Sequence, residues 1–122
     1  MKQIIPTRVA EIIYALTIAV FGVLHIKTAG ILQVQKNVPS YMPGNPSMWV
    51  YITGVAFLLI AIAIIINKYK RLACYGLVAL LVLFFFMVHL PDLMINKYNL
   101  YQPLKDIAMA MAAIMIGNNA TK

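Results

Sequence analysis

Charge is scarce in this chain, and negative charge is scarcer still. Only three Asp and Glu stand among 122 residues, against ten Lys and Arg. Charged residues make up 11% of the whole, where a soluble domain carries about 25%, so an ordinary water-facing surface is excluded. Cys74 is the single cysteine, which rules out an intramolecular disulfide, a CxxC redox pair and a Cys-rich zinc site. The ten cations lie singly or in short clusters rather than on one face, the opposite of a nucleic-acid-binding pattern. There is no internal repeat and no low-complexity linker, and the length leaves room for one domain and none for a separate catalytic one.

What is present is hydrocarbon: 63% of the residues are hydrophobic. Val9 to Ile26 is apolar except for Glu11, Tyr14, Thr17 and His25. At 1.5 Å per residue its length is roughly 27 Å, close to the hydrocarbon thickness of a bilayer. It is too long for a signal-peptide core and lacks a small-x-small cleavage site, so it reads as a first membrane span. Lys27 to Ser47 contains Pro39, Pro43, Gly44 and Pro46, which forbid a long helix. Val38, Tyr41 and Met42 within it suggest a loop folded back onto the mouth of a bundle. Trp49 to Ile66 is the second span, opening with the interfacial pair Trp49 and Tyr51. The basic turn NKYKR, 67–71, leads to a third span, Leu72 to Leu90, and the fourth runs over 103–118. The last has an apolar core, Ile107 to Ile116, of only about 15 Å. Ala108 and Ala112, with Ala113 beside them, give it a small-xxx-small spacing that lets it pack on its neighbours. The expected fold is all-α: one integral membrane domain over 1–122, built as a four-helix bundle.

Four spans put both ends of the chain on one side. Lys2, Arg8, Lys68, Lys70, Arg71 and Lys122 fall there, against Lys27, Lys36, Lys97 and Lys105 on the other. The positive-inside tendency then predicts cytoplasmic termini. In that topology His25, His89, Tyr51, Tyr41, Asp92, Lys105 and Asp106 gather at the outer mouth, as a candidate ligand pocket. Ionisable groups at membrane depth are expensive and invite a functional reading. The plainer reading stands beside it: His, Trp and Tyr are ordinary residues of a membrane interface, and Asp106 in a helix's first turn is favoured by the helix dipole. His25 and His89 alone are a weak metal or haem signal. Catalytic zinc takes three protein ligands, and no spacing here marks a haem. Glu11 lies about 21 Å from His25 along the helix and is expected to pair with Arg8 three residues upstream.

The order of short motifs carries a resemblance. Gly22-Val-Leu-His25, Val38-Pro-Ser-Tyr-Met-Pro43, Trp49-Val-Tyr-Ile-Thr-Gly54 and FFFMVHLPDL resemble small four-helix membrane proteins of the DoxX-like family, from about Ile12 to Leu93. Members of that family often carry a glutamate after the second-helix glycine, where this chain has Ala56 and Phe57. The resemblance implies a multi-pass four-helix bundle of the bacterial inner membrane, and a link to quinones or to other membrane and redox subunits. Two functions follow as expectations: a non-catalytic membrane subunit that binds a small molecule, lipid or quinone, or a subunit of a quinone-linked oxidoreductase that uses an outer His/Asp site.

Overall fold

The computed structural model describes residues 4–31, 35–36, 38–89 and 101–119. Four helices account for most of them, and no strand occurs among the described residues. Helix α1 spans Thr7–Thr28, α2 Pro46–Ile66, α3 Lys70–Phe84 and α4 Tyr101–Asn118. A π-helical turn, Phe85–His89, prolongs α3.

Local sequence sets the boundaries. Asn45 caps α2 by accepting from the Ser47 amide at 3.1 Å, and Pro46 follows where a missing N–H leaves nothing unsatisfied. At its far end Asn67 takes a left-handed φ of 60°, and its amide returns to the carbonyls of the last turn. Tyr69 is left-handed as well, at φ 56°. With Lys68 between them, these two residues reverse the chain into α3. Pro103 lies in the first turn of α4, among the amides that lack an intrahelical partner.

Every helix buries one seam at alternating spacings of four and three. In α1 the buried residues are Glu11, Ala15, Ile18 and Gly22. In α2 they are Val50, Gly54, Phe57, Ala61 and Ile64. Lys70, Cys74, Leu77 and Leu81 form the seam of α3, and Pro103, Asp106, Ala110, Ala113 and Gly117 that of α4. This spacing is the signature of helices crossing at a shallow angle, as in bundles. Antiparallel pairs result, α1 with α2 and α3 with α4.

At the first crossing the backbones nearly touch. A Cβ added to Gly22 would lie 2.7 Å from the Gly54 carbonyl oxygen, and one added to Gly54 would lie 2.7 Å from that of Gly22. The small face of α4 differs from the expected one. Ala108 is exposed and Ala112 only half-buried, whereas Ala110, Ala113 and Gly117 make the close approach. The seam is fixed by the side on which Asp106 and Gly117 also lie, and Ala108 is outside it.

The outward surfaces are apolar. Leu16, Val20, Leu59, Ile62, Leu72 and Phe86 are all more than half exposed, a distribution that suits lipid rather than water. Helices α1 and α2, and α3 through Val88, are long and apolar enough to cross a membrane. The expected fourth span is not among them: Lys105 and Asp106 at one end and Asn118 at the other shorten its apolar stretch.

Candidate functional site

His25 belongs to the last turn of α1, one step beyond Gly22 in the buried seam. Its Nδ1 lies 2.8 Å from the Phe21 carbonyl oxygen. A carbonyl only accepts, so Nδ1 carries the hydrogen, and in the neutral ring the lone pair is on Nε2. Two phenylalanines hold the ring. Phe57 of α2 meets it edge-on, with centroids 5.3 Å apart, and Phe84 at the end of α3 lies parallel to it at 6.3 Å. Phe57 and Phe84 also meet edge to face at 6.0 Å. Edge-to-face pairs place a ring's positive rim on its neighbour's negative face.

These rings form one wall of a cavity of about 510 Å³, within the range of small-molecule sites. Phe21, Leu24 and Thr28 of α1 continue the wall, with Ala56 of α2 beside Phe57. Met87 and Val88 reach the cavity from the π-helical turn. Val38, Pro39 and Met42 close it from the loop between α1 and α2, which therefore folds back onto the mouth as expected. Trp49 lines the cavity too. Its indole N–H donates to the Pro43 carbonyl at 2.6 Å, and its own carbonyl accepts from Thr53 at 2.8 Å.

The ionisable lining comes from α4 and α1. Asp106 lines the cavity while only 2% exposed. Lys105 lines it with its ammonium 5.1 Å from the centre of the Phe21 ring, a cation–π contact. The walls are thus apolar and aromatic, with an imidazole, a carboxylate and an ammonium among them. Such a set can hold a small apolar body and hydrogen-bond its polar head, as donor or acceptor.

Of the residues that sequence placed at the outer mouth, the cavity unites His25, Lys105 and Asp106. Tyr41 and Tyr51 are exposed and do not line it. His89 falls in the π-helical turn, but its side chain lies outside the described residues, as does Asp92. The suggested meeting of His25 with His89 therefore falls outside them too. Among the described residues no three His, Cys, Asp or Glu side chains gather as a metal site. Sequence reasoning missed Phe57, Phe84 and Thr53 as lining. The signal available for Phe57 was its place seven residues before Ile64 and three after Gly54 in the seam.

The opposite end of the bundle holds a second polar cluster. Glu11 is 4% exposed, and both its oxygens face the Lys70 ammonium, at 3.0 and 3.2 Å. The expected Arg8–Glu11 pair is present at 3.3 Å. Arg8 also donates to the carbonyls of Ile64, at 2.7 Å, and Ile65, the last turn of α2. The cluster ties the start of α1 to the end of α2 and the start of α3. Among the described residues no buried polar side-chain atom lacks a hydrogen-bond partner, which suits a structural role for the cluster. Tyr14 adds a tie between α1 and α4 by donating to the Met109 carbonyl at 2.5 Å.

The family model described as Domain of unknown function (DUF8561) matches residues 14–116, and the chain belongs to that family. The matched region includes every residue that lines the cavity. No curated protein and no solved structure matches the chain.

Proposed function

We propose that this member of the DUF8561 family is an integral membrane protein that binds a small lipid-soluble molecule in the cavity between its outer helix ends. The observation that carries the reading is an aromatic, apolar enclosure whose lining includes three ionisable side chains, His25, Lys105 and Asp106. In the bilayer all four helices cross, α4 held by its packing on α3. Both termini are cytoplasmic and the cavity opens toward the outer face of a bacterial inner membrane. The function is non-catalytic, that of a membrane subunit or binding module of the DoxX-like kind, with lipid around it and redox or other membrane subunits as candidate partners.

A quinone suits the cavity. A flat ring can lie among Phe57, Phe84 and His25; its oxygens can take a hydrogen bond from Lys105, and the hydroxyl of the reduced form can donate to Nε2 of His25. Trp49 provides the measurement, because it is the single tryptophan of the chain and lines the cavity. A short-chain benzoquinone added to protein in lipid nanodiscs should quench its emission saturably. Replacing Lys105 with Met should weaken binding about tenfold, the effect of one lost hydrogen bond. Quenching that rises linearly with quinone, equally in both proteins, would refute the site.

The alternative is a subunit of a quinone-linked oxidoreductase in which His25, with His89 and Asp92, moves protons at the outer face. The fixed Nδ1–H of His25 favours it, since Nε2 is then the atom that gains or loses a proton. Quinol-dependent reduction of an acceptor by the purified protein, abolished in His25→Leu, separates this from simple binding.

A further inference from the structure

Asp106 has open space on two sides. Besides the main cavity, a groove of about 190 Å³ runs between α3 and α4. Leu81 and Asp106 line both spaces, and each is only 2% exposed. One isobutyl group and one carboxylate thus stand where the two spaces adjoin. The outer rim of the groove is formed by Val82, Phe86, Ile107 and Met111, all exposed and all apolar. Lys105 lines the cavity but not the groove.

The groove also coincides with a change in the backbone. Phe85 and Phe86, which line it, open the π-helical turn of α3. Such turns add a residue to the helix, loosen its hydrogen bonding and recur at functional positions. The helix is therefore least regular beside the partition.

We propose that this groove is a lateral portal, through which the ligand passes from the bilayer interior into the cavity, with Leu81 and Asp106 as its threshold. The inference rests on the binding function proposed above and narrows the ligand class. The molecule is one dissolved in the membrane, with an apolar body that can slide past Val82 and Phe86. Its head is neutral, because a buried carboxylate accepts a hydrogen bond from a hydroxyl and repels an anion.

Stopped-flow quenching of Trp49 tests the route with two benzoquinones, one water-soluble with a short chain and one confined to the bilayer by a long isoprenoid tail. Val82→Phe combined with Met111→Phe fills the groove from positions already facing lipid, so the fold should tolerate it. Association of the long-tailed quinone should slow by about tenfold while its Kd and the rate for the short-chain quinone stay unchanged. Leu81→Ala should act in the other direction and speed both association and dissociation of the long-tailed quinone. Oleyl alcohol should compete with that quinone, and oleate should not. Unchanged association of the long-tailed quinone in the filled variant, with its binding intact, would overturn the portal alone. Equal competition by oleate would overturn the neutral-head requirement. Failure of both quinones to quench the unaltered protein would instead remove the binding function on which the portal depends.

Discussion

Replacing Lys70 with Met would leave Glu11 buried with Arg8 as its remaining partner among the described residues. Losing one partner of a buried pair costs about 3–5 kcal/mol, while Lys68→Met, two residues away on an exposed side chain, should stay within about 0.5 kcal/mol. Unfolding in mixed micelles measures both, and equal losses would mean that the Glu11–Lys70 contact carries no stability. The double variant Glu11→Gln with Lys70→Met should recover most of the loss, because it removes the charge that the single variant strands. The Arg8–Glu11 half of this cluster was legible, since three residues on one helix fix a neighbour. The Lys70 half was not, because its partner is 59 positions away. Its only trace in sequence is register: Lys70 stands four before Cys74 and seven before Leu77, in line with the core.

The crossing of α1 and α2 depends on two residues with no side chain. Gly22→Ala or Gly54→Ala would push a methyl against the facing carbonyl oxygen, and overpacking of this kind costs about 1–3 kcal/mol. Gly76→Ala is the control on α3. Nothing lies within 4 Å of its added Cβ, and exchanging glycine for alanine in a helix interior gains up to about 1 kcal/mol. Melting of the three variants in one detergent should order them accordingly, and a destabilised Gly76→Ala would contradict the open space. The three apolar helices could be read from length and composition alone. The packing face of α4 could not be read from its alanines, because 108, 110, 112 and 113 surround the helix. Asp106, four positions before Ala110, and Gly117, four after Ala113, select the face, but a buried aspartate is the last residue one would choose to mark a core.

For the molecule as a whole, alternating helix directions bring one end of each helix to a common depth, and that much of the site follows from counting spans. Which side chains turn inward does not. Val50 is buried and its neighbour Tyr51 exposed, a single step of about 100° around the helix. Orientation in the membrane is open to direct measurement. On a Cys74→Ala background, Lys36→Cys should react with an impermeant maleimide in intact cells, and Lys68→Cys only after permeabilisation. Labelling of Lys68→Cys from outside would invert the proposed topology and place the cavity on the cytoplasmic side.

The long reach from Glu11 to Lys70 has a consequence for biogenesis. The ribosome makes α1 before α3, so the carboxylate emerges when its main counter-ion does not yet exist. The 59 positions from Glu11 to Lys70 take roughly 3–12 s to translate. During that interval Arg8, one turn away, is the only cation of the finished cluster already made, and a carboxylate at membrane depth is costly without a partner. Helix α1 should therefore settle fully only after the basic turn has been synthesised. Nascent chains arrested before Lys70 should leave α1 more open to protease than chains arrested after α3, and Arg8→Ala should widen that difference.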